Sequence, residues 1–194
     1  MIYESYPWKQ DLIRRKRLLL KYNTAERLEK NYDSTCTVVE KSIFYSAFII
    51  RKLLDCGTKL SSEADNYSFQ VKSIKPLKRI DYMHRWPEES SHDWKNEKQL
   101  NAAGRDICNW LIHSYLFFLE SEENGSITDF CVSSDYDKNK MLYKISLNDW
   151  LKYVEFVSSD DIVSLSFRYD KKVDDYLIER KERWGAKNKS SLGR

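Results

Sequence analysis

Glycine and proline are scarce in this chain, five and three in 194 residues. Long turn-rich stretches are therefore not expected, and helices are favoured over an all-β sandwich. The glycines, Gly57, Gly104, Gly125, Gly185 and Gly193, stand alone in the sequence. A phosphate-cradling loop and a dinucleotide fingerprint both need clustered glycines, so both are excluded. No GxSxG elbow for a nucleophilic serine occurs either. Cysteine is sparse too: Cys36, Cys56, Cys108 and Cys131 form no CxxC pair. That argues against a zinc finger or a thioredoxin-like motif and for free buried thiols in a reducing compartment. Long apolar runs are missing. Met1 to Lys21 is polar from the start, without the apolar stretch of a signal peptide, and Leu116 to Leu119 is far too short to cross a bilayer. The expectation is a cytoplasmic protein with no membrane contact. An excess of one charge is lacking as well, with 33 basic and 30 acidic residues. Overall charge neither demands nor excludes a nucleic-acid partner.

What the sequence does contain is a folded composition. Hydrophobic residues make up 41% and aromatics 14%, too much apolar surface for disorder. The length suits a single domain over 1–194 that buries roughly 70% of its unfolded surface.

Periodicity predicts a helix from Trp8 to Lys30, through Trp8, Leu12, Leu19 and Tyr22. A second helix, capped by Asp33 or Ser34, runs to about Asp55 on the stripe Val39, Ile43, Ala47, Ile50 and Leu54, with Gly57 just past its end. Tyr67 to Ile74 alternates and reads as a strand stopped by Pro76, followed by a loop over Arg85–Trp94. The longest periodic stretch, Trp94 to Glu122, reads as a central helix on Leu100, Ala103, Ile107, Leu111 and Phe118, ended by Asn124–Gly125. Strands are expected at Ile127–Ser133, Met141–Ser146 and Val163–Tyr169. Ser146 is expected to cap a short helix from Leu147 to Val157, and a last helix is expected over Lys171–Trp184. The fold class expected is α+β. A mainly helical core over about 8–122, with a strand insertion at 67–74, carries a small antiparallel sheet built from a β-rich appendage at about 127–184. Residues 185–194 form a tail.

Candidate chemistry centres on His113. Asn109 and His113 lie four apart, one turn from each other on the expected helix. An imidazole can exchange protons near neutral pH, and a neighbouring amide can fix its tautomer or hold a phosphate. The simpler reading is a partly buried histidine among Trp110, Leu111, Ile112, Tyr115 and Phe117. A helix bearing Asn-x-x-x-His in a helical core resembles the HEPN superfamily. The resemblance implies an all-helical bundle, frequent dimers and, in many members, metal-independent RNase activity in bacterial defence or toxin–antitoxin systems. It implies catalytic roles for His113 and Asn109, with an Arg that binds phosphate. The family's Arg position holds Cys108 here. The nearest Arg is Arg105, about 80° around the helix from His113, and Arg51 on the second helix is a further recruit.

Two basic stretches are candidate nucleic-acid contacts: Arg14, Arg15 and Arg17 with Lys21, and Lys72, Lys75, Lys78 and Arg79. The simpler reading of the first is a solvated helix face. His84 and His92 fit no standard metal spacing, and neither a metal nor a cofactor is expected. Six Trp and 13 Tyr suit protein–protein contacts. The function expected is a non-catalytic binding or regulatory subunit of a defence-type assembly, with a protein partner or as a homodimer. The alternatives are an RNase using His113 and a nucleic-acid-binding module.

Overall fold

The computed structural model describes residues 2–122 and 125–183. Its helices are α1 (Tyr6–Tyr22), α2 (Ala25–Lys30), α3 (Tyr32–Asp55), α4 (Ser62–Asp65), α5 (Gly104–Ile112) and α6 (Leu147–Ser158). Its strands are β1 (Ser68–Ile74), β2 (Lys98–Ala103), β3 (Ser114–Ser121), β4 (Ile127–Ser134), β5 (Leu142–Ser146), β6 (Ile162–Asp170) and β7 (Asp175–Arg183). Strands β1 to β5 form one antiparallel sheet in the order β2-β1-β5-β4-β3, and β6 and β7 form a separate hairpin.

This architecture corrects the expected mainly helical bundle with a small C-terminal sheet. Among the described residues about 40% are helical and 30% are in strands. The large sheet draws β1 and β2 from the middle of the chain. The expected central helix over 94–122 is instead β2, α5 and β3. Its apolar positions fit a 3.6-residue period, but β1 pairs with β2 along its whole length, from Ser68–Ala103 to Ser73–Lys98. That ladder satisfies backbone groups that a helix at 98–103 would leave without a partner. The expected helix at 171–184 is overturned by the β6–β7 hairpin, whose turn is made by Asp174 at φ 53. Residues 185–194, expected as a tail, lie outside the described residues.

Other elements form for the expected local reasons. Helix α3 buries Val39, Ile43, Ala47, Ile50 and Leu54, and Gly57 takes a positive φ of 66 just past its end. Its cap is Asn31, whose side chain accepts from the Ser34 amide at 3.3 Å, rather than Asp33 or Ser34. The expected helix at 8–30 breaks at Asn23–Thr24 into α1 and α2. Ser146 caps α6 by accepting from the Asp149 amide.

One face of the sheet is covered by helices. Alternation along β1 sends Phe69, Val71 and Ser73 inward and Gln70 and Lys72 outward. The inward side chains meet α3, α5 and α6 in a core that includes fully buried Trp150, Tyr153 and Phe130. Trp150 Nε1 donates to Ser46 Oγ at 3.1 Å, which satisfies its one polar atom in an apolar site. Trp110 of α5 stacks on Tyr143 of β5, with centroids 3.6 Å apart and planes within 3°. Gly104, the first residue of α5, lies directly against the Tyr153 hydroxyl, leaving no room for a Cβ. The outer face carries a second, smaller apolar cluster of Ile74, Ile80, Leu116, Cys131 and Leu142, roofed by Trp94, Tyr115 and Phe118. The β1–β2 connection, residues 75–97, lies over that cluster. Pro76 pairs with His92 across it, and the Ile80 amide donates to Asn139 Oδ1 at 2.7 Å.

A buried ionic junction ties the C-terminal hairpin to the helices. Asp160 is fully buried and accepts from the Ser61 amide at 2.7 Å, while Arg183 Nε of β7 lies 3.5 Å from its other oxygen. Lys9, buried on α1, donates to the Asp160 carbonyl and to Asp161 at 3.0 Å. Among the described residues no helix is long and apolar enough to cross a membrane.

Candidate functional site

Helix α5 crosses α3 so that Asn109 and Arg105 meet Arg51 and Asp55. Arg51 Nε donates to Asn109 Oδ1 at 2.7 Å. Asp55 bridges the two arginines: Arg105 Nη1 donates to its Oδ1 at 2.9 Å, and Arg51 pairs with the same oxygen. Arg51 is half-buried. Loss of hydration, and then the neighbouring Arg105 charge, pull its guanidinium below its ordinary range. Cys108, at the position of the family's Arg, is fully buried between the helices, and burial pushes its thiol up, so it stays neutral.

His113 is not part of this cluster. It is the residue after α5, at φ −106 and ψ 25, and is exposed. Its amide donates to the Asn109 carbonyl at 3.0 Å and its carbonyl accepts from the Asp135 amide at 3.0 Å. Arg105 stands in the first turn of the same helix, about 12 Å away along the axis at 1.5 Å per residue. The structure thus brings Asn109 and Arg105 together with Arg51, and leaves His113 at the far end of α5.

The basic stretches do not join. Arg14 pairs with Asp11, Arg15 stacks over the Tyr45 ring at 4.5 Å, and Arg17 and Lys21 are exposed on α1, on the helical side of the molecule. Lys72 points from the opposite face of the sheet and pairs with Glu97 at 2.6 Å. Lys78 binds Ser90 at 2.6 Å, and Lys75 and Arg79 are exposed. His84 Nδ1 lies 2.9 Å from Asp81, whereas His92 is buried with Nδ1 2.8 Å from Ser91 Oγ. No group of three or more His, Cys, Asp or Glu side chains among the described residues could hold a metal ion.

Sequence reading missed the tip of the 75–97 connection as a unit. Leu77, Tyr82, Met83 and Trp86 are exposed there by 63%, 72%, 79% and 72%. The Arg85 guanidinium sits over both aromatic rings, 4.9 Å from Tyr82 and 5.7 Å from Trp86. The base of the tip is pinned by buried Ile80 and by the Leu77 amide, which donates to the Ser91 carbonyl at 2.8 Å. Beside it, Lys138 lies 4.0 Å over Tyr115, and Lys140 covers Tyr136 at 3.1 Å. The signal available in the sequence was Tyr82, Met83, Arg85 and Trp86 gathered within five residues of a polar loop.

Fold and site together define a mixed helix-and-strand protein with a helix-backed antiparallel sheet and an anchored aromatic–arginine tip. No family model, no curated protein and no solved structure matches the chain.

Proposed function

We propose that this chain is a non-catalytic binding protein that docks a folded protein partner on the Leu77–Trp86 tip. The observation that carries this reading is the Tyr82–Arg85–Trp86 arrangement, two exposed rings clamped by one guanidinium on an anchored base. Trp, Tyr and Arg are the side chains that dominate protein interfaces, because large rigid rings bury much area at little entropic cost. Exposed apolar residues gathered at one spot are uncommon on monomer surfaces unless they bind something. The charges around the tip are mixed: Lys78, Arg79 and Arg85 alternate with Asp81, Glu88 and Glu89. That pattern suits a protein rim of both signs better than a phosphate backbone, which would favour cations alone. A defence or toxin–antitoxin setting rests on the HEPN resemblance alone.

The test places a photoreactive amino acid at Met83 and, separately, at exposed Glu29 on α2. Illumination in cells should give one cross-linked protein species from position 83 and none from position 29. Trp86→Ser in the position-83 variant should abolish it. Identical patterns from both positions, or cross-links to RNA alone, would overturn the reading.

A further inference from the structure

The five-stranded sheet ends in two edges of opposite character. Edge strand β2 is short and polar, with Lys98, Gln99 and Asn101 exposed. Charged and polar side chains of this kind keep an edge from adding another strand. Edge strand β3 carries polar side chains only at its ends, at Ser114, Glu120 and Ser121. Its eight residues include Tyr115, Leu116, Phe117, Phe118 and Leu119 in succession, with Glu120 as the only charge and no proline. Among the described residues its ladder is made with β4 alone, so the main-chain groups on its other side face outward. Phe117, Phe118 and Leu119 on this edge strand each keep part of their surface exposed.

We infer that β3 is a dimer interface, pairing antiparallel with β3 of a second copy of this chain to make one continuous ten-stranded sheet. The choice of occupant follows from the strand itself. Register shifts lie at Ser114/Leu116 and Glu120/Ser121, so Leu116 to Glu120 is the regular run and Phe118 is its middle. A two-fold axis normal to the sheet at Phe118 keeps helix-facing side chains on one side in both copies. It sets Phe117 opposite Leu119 of the second copy on the helix-facing side, and Phe118 opposite its own copy on the other. Glu120 meets Leu116, so no charge opposes its like. Cross-strand aromatic and aliphatic pairs of this kind stabilise antiparallel sheets. A head-to-tail contact of β3 with β2 would instead set these apolar side chains against Lys98, Gln99 and Asn101 and would propagate without closing. The two-fold pairing closes and leaves only the polar β2 edges outside. The interface is separate from the Leu77–Trp86 tip.

The test is the solution mass by light scattering at micromolar concentration, with hydrogen exchange on the same samples. The wild type should weigh twice 23.2 kDa. Leu119→Lys, which puts a charge on the edge, should halve the mass while keeping the wild-type circular dichroism. Gln99→Lys on β2 should remain a dimer. Exchange on the wild type keeps the inference testable if Leu119→Lys fails to fold. Successive amides from Leu116 to Glu120 should all be protected in the dimer, and alternate ones should exchange on dilution. A monomeric wild type at 100 μM (roughly a hundredfold above a micromolar Kd), a folded Leu119→Lys dimer, or a dimer whose β3 amides exchange as in the monomer would each overturn it.

Discussion

Arg51 on α3 donates its Nε hydrogen to Asn109 Oδ1 on α5 across 2.7 Å, and that bond occupies the amide that the sequence offered to His113. Removing the amide should therefore cost stability. Asn109→Ala leaves a half-buried guanidinium short of an acceptor and should lower unfolding stability by ~1–2 kcal/mol. His113→Ala, at an exposed position, should stay within ~0.5 kcal/mol of wild type. Urea midpoints at constant m-value measure both. Incubation of wild type and His113→Ala with total RNA should leave the RNA intact in each case.

Gly104 is required by Tyr153. A methyl group at 104 would overlap the Tyr153 hydroxyl, which is buried and accepts no hydrogen bond among the described residues. Gly104→Ala should destabilise by about 1–3 kcal/mol through overpacking. Tyr153→Phe, which deletes the intruding oxygen, should recover part of that loss. A double-mutant cycle on chemical denaturation should return a coupling above ~0.5 kcal/mol; additivity would refute the contact.

Burial lowers the His92 imidazole from its ordinary value of 6.5. The unfolded chain therefore takes up the proton first as pH falls. The stability tied to a neutral His92 is complete above 6.5 and declines as pH drops below it toward the folded value. Midpoints measured from about pH 8 to pH 5.5 should fall for wild type, and the fall should be shallower in His92→Gln.

Asp160→Ala removes the acceptor of the Ser61 amide and the partner of Arg183. It also strips the half-buried Arg183 guanidinium of its carboxylate partner, so unfolding stability should fall by ~1–3 kcal/mol. The β6–β7 hairpin should become the first site of limited proteolysis, with cleavage near the Lys171–Lys172 turn appearing before any cut in α3.

Local patterns were readable where the partner of a side chain lay within one turn or one strand. The stripe Val39–Ile43–Ala47–Ile50–Leu54 needed only an apolar side to face, Gly57 marked an end by its positive φ, and Ser146 marked one by a side-chain cap to a neighbouring amide. The stretch 94–122 failed because what decides it is distant: β1 supplies the ladder for Lys98–Ala103, and β4 supplies that for Ser114–Ser121. Two local hints were present. Five large apolar residues in a row suit a strand, and Asn-Gly between two apolar runs is a hairpin signal; Gly125 does adopt a φ of 82. The site divided the same way. Asn109 and Arg105 lie on α5 as their spacing implied, but Arg51 and Asp55 reach them only through the α3–α5 crossing. His113 fell outside because α5 stops after nine residues.

The strand order also governs how this chain can assemble. Strands β2 and β3 are joined by α5 alone, yet they occupy opposite margins of the sheet with three strands between them. The β3–β4–β5 meander can form from neighbouring sequence. Strand β1 must find β5 with Lys72 opposite Lys144, and until it does α5 has no complete surface on which to rest. Closing that long loop carries the larger entropy cost, and non-local pairings of this kind are the contacts that slow the folding of sheet proteins.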